Sequence, residues 1–208
     1  VTNMYPTNDR PSYGAFIKSQ IDSISAIGHE IDVVFIPGYQ SRAAYLYGFV
    51  DLRRRLKIRQ YDVVHAHYGL TGALACLVHQ RPLVVSFCGD DLLGTPDGKG
   101  GITLKSNVEM YVGQCAALVA DRIIVKSSQM LEALKSPNAR RKAEVVPNGV
   151  DFSLFCPLNR ENSRRKLGLS ARKKYVLFPS TPYETRKRVD LAKAAIVHLQ
   201  STIPDVDL

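Results

Sequence analysis

His65 and His67 stand two residues apart in the run Tyr61-Asp-Val-Val-His-Ala-His-Tyr-Gly-Leu70. The run reads as a buried strand over Asp62–Ala66 that ends in His67 and turns through Gly69 into an apolar helix. Strand, polar tip, glycine turn and helix together place functional groups at the carboxyl edge of an open α/β sheet. Side chains two apart on a strand share a face, so both imidazoles point the same way. His67 lies nearer the loop and is better placed to meet a ligand. The residues alone leave a second reading open, in which both histidines are hydrogen-bonded strand-end groups.

Three further runs carry candidate chemistry. Pro11-Ser-Tyr-Gly14 precedes a helix, and a helix N-terminus offers free N–H groups and a partial positive charge to phosphate. Gly14 would let the backbone approach an anion closely. The run has one glycine and no G-x-G-x-x-G, which argues against a classical nicotinamide site; an ordinary strand-to-helix turn is the plainer account. Ser86-Phe-Cys-Gly-Asp-Asp91 sits at another strand end. Adjacent carboxylates point apart too often to form an acid/base pair, so Asp90 suits capping and loop architecture, while Asp91 stays a candidate for sugar hydroxyls. Thr181-Pro-Tyr-Glu-Thr-Arg-Lys-Arg188 precedes a helix in the tail. Cations there suit a diphosphate but oppose the helix macrodipole, a placement that points to function for Arg186, Lys187 and Arg188.

The elements that must hold these groups alternate. Helices are expected over Gly14–Ile27 (closed by Gly28), Ala43–Arg59 with a basic outer face, Leu70–His79, Asn107–Ala120 and Ser127–Leu134. Strands are expected over Ile31–Ile36, Pro82–Phe87, Arg122–Val125 and Ala143–Val146, with a long loop over Gly89–Gly101. Several strands are apolar on both faces, which calls for a parallel sheet covered by helices on both sides. After Asp151 the texture turns polar and basic. A fresh strand at Tyr175–Pro179, a helix at Val189–Gln200 and the start of a strand in Pro204–Leu208 then open a second α/β unit. The expected organisation is residues 1–156 as one domain and 157–208 as the start of another. Both ends read as cut: only Val1 and Thr2 remain of a first strand.

Composition narrows the class. The 208 residues are 45% hydrophobic, enough for a real core. Cys76, Cys88, Cys115 and Cys156 are spaced for neither zinc nor a disulfide framework, which suits reduced thiols in the cytoplasm. The net charge of +9 is spread over short basic clusters such as Arg53-Arg-Arg-Leu-Lys57 and Arg164-Arg-Lys166. Singly these read as solvated faces. Together they favour anionic partners, a nucleotide phosphate or an acidic membrane surface. Nucleic acid is not expected, because no zinc-finger, RRM or KH pattern accompanies the charge.

In order and spacing, Asn3-Met-Tyr-Pro6, Gly14-Ala-Phe-Ile-Lys-Ser-Gln20, Gly28-His-Glu-Ile-Asp-Val33, Tyr61–His67, Ala120-Asp-Arg-Ile-Ile-Val125 and Val146-Pro-Asn-Gly-Val-Asp151 resemble glycosyltransferase family 4, of GT-B fold. Val176-Leu-Phe-Pro-Ser180 followed by Lys187 resembles the start of that family's donor domain. The resemblance implies two Rossmann-like domains, an acceptor-side domain first and a nucleotide-sugar domain second. It implies a retaining transfer from a nucleotide-diphosphate sugar to an acceptor sugar or lipid-linked acceptor, with no cofactor and no metal, in glycolipid or polysaccharide synthesis at the cytoplasmic membrane face. By the same resemblance the Gly14 amide meets the donor phosphate, His67 faces the sugar near its reactive carbon with Asp91 contributing, and Lys187 binds phosphate beside Arg186 or Arg188. Three positions depart from the family pattern: Ser180-Thr181 for Gly-Arg, Arg186 for an earlier Arg, and Cys88 for His. The E-x7-E segment that would hold donor sugar and ribose does not occur in this chain, so the chain alone is expected to be inactive. Two other classes fit the same residues, a non-catalytic acceptor- or partner-binding module and a GT-B-like sugar-nucleotide epimerase.

Overall fold

The structure is a computed structural model that describes residues 1–78, 82–97, 100–179 and 187–208. Two compact units divide the chain: Val1–Thr95 with Ile102–Val150, and Pro96–Gly101 with Asp151–Leu208.

The first unit is a parallel sheet flanked by helices. Its elements run α1 (Ala15–Ala26), α2 (Ala44–Ile58), β1 (Val64–His67), α3 (Gly69–Cys76), β2 (Leu83–Ser86), α4 (Asp90–Leu93), α5 (Leu104–Val119), β3 (Arg122–Val125), α6 (Ser128–Ala133), α7 (Pro137–Arg141) and β4 (Ala143–Val145). The four strands lie in the order β1-β2-β3-β4, every pair parallel. Ahead of β1 the sheet is carried on by single bridges, Thr2 pairing with both Phe35 and His67. The expected strand over Ile31–Ile36 is therefore corrected to an extended segment with one bridge. Val1–Thr2 beside it offers only two residues, and a ladder needs successive pairs. The pairing itself is sound: Thr2 N–H donates to Val34 O at 2.9 Å and Ile36 N–H to Thr2 O at 2.8 Å.

Ala66, Leu83, Val85, Phe87, Ile123 and Val125 form the buried sheet core, with Leu74, Ala117 and Met130 laid on it from the helices. Small residues set how closely α3 and α5 pack. A Cβ on Gly69 would sit 2.9 Å from the Gly113 Cα, so the two backbones touch where α3 begins. α5 is capped by Thr103, which accepts from Ser106 N–H, and α6 by Ser127, which accepts from Met130 N–H.

The second unit contains α8 (Arg160–Lys166), β5 (Lys174–Tyr175), α9 (Val189–Gln200) and β6 (Val206–Asp207). Asn159 caps α8 through Asn162 N–H at 3.0 Å. β5 and β6 pair in parallel. The strand expected over Tyr175–Pro179 shortens to β5, because its one partner among the described residues, β6, offers two residues. The change of unit after Val150 coincides with an Asp turn, where the Asp151 carboxylate accepts from Ser153 N–H at 2.9 Å. No helix among the described residues is long and apolar enough to cross a membrane.

Candidate functional site

The carboxyl edge of β1 and β2 gathers the functional side chains of the first unit. His67 closes β1 and is 5% exposed. Its N–H donates to Val1 O at 2.9 Å, and Thr71 Oγ1 donates to its carbonyl. The expected common face of the histidines is present as a ring stack, with centroids 4.3 Å apart and planes 29° apart. His65 Nε2 pairs with Ser86 Oγ at 2.7 Å, which fixes the inner ring. The outer ring is different: His67 Nδ1 is buried and has no partner among the described residues. Buried polar groups are nearly always satisfied, which sets this atom apart from the Ser86-bonded ring beside it.

Burial also decides protonation. It pushes the His65 imidazole down to about 4. It pushes His67 lower still, with the neighbouring His65 adding to the effect. Both rings are neutral at pH 7, so His67 offers a hydrogen bond and no formal charge.

Tyr68 and Asp91 fix the backbone immediately beyond His67. Tyr68 makes the turn from β1 into α3 at φ 86° and ψ 142°, a region that side chains rarely occupy and that costs on the order of 1–3 kcal/mol. Its hydroxyl donates to Glu109 Oε2 at 2.9 Å. Asp91 is fully buried. Its oxygens accept from Gly69 N–H at 2.9 Å, Cys88 N–H at 3.0 Å and Gly89 N–H at 2.8 Å. One carboxylate thus ties the loop after β2 to the first turn of α3, immediately beyond His67. Burial raises the Asp91 carboxyl to about 6 against the opposing pull of those amides.

Gly14 begins α1 at φ 71° with no side-chain cap. A Cβ there would lie 2.5 Å from the Met4 carbonyl carbon. The loop it closes is pinned by Asn3, whose Nδ2 donates to Tyr45 Oη at 3.1 Å and whose carbonyl accepts from Tyr13 at 3.2 Å. The glycine is therefore required by packing as well as by any anion.

His67 and Asp91 are joined through the Tyr68–Gly69 turn. Lys187 and Arg188 belong to the second unit, both exposed at the start of α9. Arg188 takes φ 55° and pairs with Asp190 at 2.8 Å. Arg186 lies outside the described residues. Two residues of this edge were missed by sequence reasoning. Tyr68 carries a signal of its own, a non-glycine residue in the one-residue link between strand and helix. Lys126, directly after β3, is the other. Pairing of His67 with Ser86 and of Ser86 with Ile124 puts Lys126 on the same sheet face as the histidines. Desolvation lowers its ammonium, and it lies close enough to act on both histidines. Among the described residues no cluster of three or more His, Cys, Asp or Glu could hold a metal ion.

Known proteins resemble this chain in sequence. A profile described as Glycosyltransferase Family 4 matches residues 4–154. A D-inositol 3-phosphate glycosyltransferase of a Nocardioides species is 29% identical over 157 residues, covering 72% of this chain and 33% of that protein. The protein of the same name from Mycolicibacterium vanbaalenii is 30% identical over 155 residues, covering 71% and 33%; that from Catenulispora acidiphila is 32% identical over 117 residues, covering 52% and 27%. This chain spans about a third of the length of these relatives. The profile covers well over half of the chain, including the histidine strand, the Gly14 loop and the Asp91 tie, and the chain belongs to glycosyltransferase family 4.

Proposed function

We propose that the protein transfers a sugar, with retention at the anomeric carbon and without a metal, from a nucleotide-diphosphate donor to an acceptor hydroxyl. The observation that carries this reading is the buried, neutral His67, its Nδ1 without a partner, at the sheet edge of a family 4 chain. A neutral imidazole there hydrogen-bonds a hydroxyl of the donor sugar and supports charge as the glycosidic bond breaks; it is not a nucleophile. Asp91 acts one step removed. It holds the Cys88–Gly89 loop and the Gly69 turn so that the ring is already oriented when the sugar arrives, which avoids reorganisation at the moment of reaction. Backbone N–H groups at the start of α1 stabilise the departing diphosphate, and Lys187 with Arg186 or Arg188 is a separate cationic candidate for phosphate.

The matched relatives are named for D-inositol 3-phosphate. A polyhydroxylated acceptor, a cyclitol or a sugar that is free or lipid-linked, fits the polar edge around Asn3, Tyr45 and Tyr68. A lipid-linked acceptor would place the protein peripherally at the cytoplasmic membrane face. The chain by itself, without an E-x7-E segment, would turn over little donor.

The test is turnover of a UDP- and GDP-sugar panel by the full-length protein, with the product anomer read by NMR. Transfer with retained configuration is expected. Inverted product, or epimerised nucleotide sugar with no acceptor consumed, would replace this reading.

A further inference from the structure

Helix α5 turns an apolar stripe to solvent. Its inner face, Ser106, Gly113, Ala116 and Ala117, is buried. At about 100° of rotation per residue, Leu104, Val108, Tyr111, Cys115, Leu118 and Val119 fall within an arc of about 100° on the opposite side. Leu104 is 82% exposed and Tyr111 70%, while Val108, Leu118 and Val119 lie between 51% and 57%. Cys115 is an exposed free thiol. No charged residue enters the arc. Lys105 and Glu109 stand on one flank and meet each other at 3.6 Å; Asn107 and Gln114 stand on the other. Single apolar side chains at a surface are ordinary. A contiguous stripe about four turns long is not.

The spacing of the stripe points to what covers it. Leu104, Val108, Tyr111, Cys115 and Leu118 recur at steps of four and three, the seam by which one helix receives another. Their sizes are also balanced about Tyr111. Leu104 and Leu118 lie seven residues to either side, and Val108 and Cys115 lie three before and four after. Two copies of α5 laid antiparallel, with a two-fold axis at Tyr111, therefore set tyrosine on tyrosine. Each Leu104 then faces a Leu118, and each Val108 a Cys115. A two-fold contact requires such a self-complementary patch, and antiparallel pairing also opposes the two helix dipoles. A buried aliphatic side chain withdraws about 100 Å² from water and a tyrosine more. The stripe in two copies thus reaches the roughly 1,000 Å² that a specific contact needs. A bilayer fits less well, because the arc holds no cation to meet lipid phosphate.

We infer that the outer face of α5 is a dimer interface, in which two copies of this chain pair their α5 helices antiparallel about a two-fold axis at Tyr111. Leu104, Val108, Cys115 and Leu118 interdigitate along the seam, and Val119 extends it at the carboxyl end. The recognition is packing of apolar side chains, with the Lys105–Glu109 pair left at the rim. The inference stands apart from the sugar-transfer reading above.

Sedimentation velocity of the 208-residue chain and of the full-length protein tests the contact. A dimer is expected in both. Val108→Ser/Tyr111→Lys should weaken association about 100-fold with an unchanged circular dichroism spectrum, because both positions are exposed. Leu46→Ser/Val50→Ser removes exposed apolar side chains from α2 and should leave the dimer intact. Cross-linking with copper–phenanthroline as oxidant reads the orientation. In a Cys115→Ser/Cys156→Ser background, Tyr111→Cys should give a disulfide-linked dimer, since the axis brings the two thiols together. Native Cys115 in a Cys156→Ser background should not, since antiparallel pairing holds the two copies of that residue about 12 Å apart along the helix, beyond disulfide reach. The inference is overturned by a monomer at both lengths, or by a dimer that the α5 variant leaves intact or the α2 variant dissociates as fully. It is overturned too by cross-linking through Cys115 in place of Tyr111→Cys, which would mean parallel pairing. A dimeric 208-residue chain beside a monomeric full-length protein also overturns it, since the rest of the protein would then cover the stripe. Association requires no donor, so failure of this contact and failure of sugar transfer are separate results.

Discussion

Helices α1 and α9 start alike and are held differently. Each begins at a left-handed residue without a side-chain cap, Gly14 at φ 71° and Arg188 at φ 55°. By contrast α5, α6 and α8 are capped by Thr103, Ser127 and Asn159. An uncapped helix start leaves its first N–H groups without a side-chain acceptor, although Ala15 N–H at α1 reaches Ser12 O and Ile17 N–H reaches Gly14 O. At Gly14 the neighbouring Met4 carbonyl fills the space a side chain would need. At Arg188 the turn is exposed and the side chain lies against Asp190. One start is set by packing and the other is an exposed left-handed side chain with only a local ion pair, so adding a side chain at Gly14 and removing one at Arg188 should have opposite consequences.

Gly14→Val should show the largest effect on stability. It forces a β-branched side chain into a left-handed backbone and into the Met4 carbonyl, a loss of about 4 kcal/mol, read as a large drop in the urea midpoint of the 208-residue chain. A near-normal midpoint would mean the loop moves aside at little cost. Any loss of nucleotide binding in this variant must be judged against that drop. Asp91→Ala comes next, since it strands three backbone amides, two of them in the loop after β2; a loss of about 3 kcal/mol is expected from the same titration.

Acid should act through the histidine pair. His65 is depressed from 6.5 to about 4 in the folded chain, and His67 is depressed further. The unfolded chain therefore takes up protons first. The stability the neutral rings supply is complete above pH 6.5 and is lost as pH falls from there through the folded values, on the order of 3 kcal/mol for each ring by pH 4. The raised Asp91 carboxyl works the other way, since the folded chain is the one that holds its proton between 3.8 and about 6. Thermal melts from pH 7 to pH 4 on wild type and on His65→Gln/His67→Gln separate the two: the double variant should lose less on acidification. Arg188→Gly should have the smallest effect. It relieves a left-handed side chain at the cost of an exposed ion pair, and should raise the urea midpoint slightly. A clear destabilisation would show that the Asp190 pair holds the start of α9.

Much of this was legible in the sequence, and the misses share a cause. β3 falls on Arg122–Val125 and α9 on Val189–Gln200, as periodicity and length require. The two-residue spacing of His65 and His67 was enough to predict a shared face. Helices α4, α7 and α8 were not seen, because four to seven residues are too few to show a 3.6-residue period. Lys126 and the three-amide tie of Asp91 were hidden for a related reason. Lys126 depends on register between strands far apart in sequence, and the Gly69 bond of Asp91 spans 22 residues, neither of which a local pattern encodes. Tyr68 is the intermediate case: its position was in view, but its left-handed backbone at φ 86° was not.

The central claim is that His67 is a buried neutral group kept for the donor sugar. Its most direct test is the transfer rate of full-length His67→Ala, measured beside wild type with the fold checked by circular dichroism. A fall of about 100-fold in a folded variant is expected, the size of one oriented hydrogen-bonding group lost from a transition state. A folded variant that transfers sugar at the wild-type rate would contradict the claim and leave His67 a strand-end residue stacked on His65.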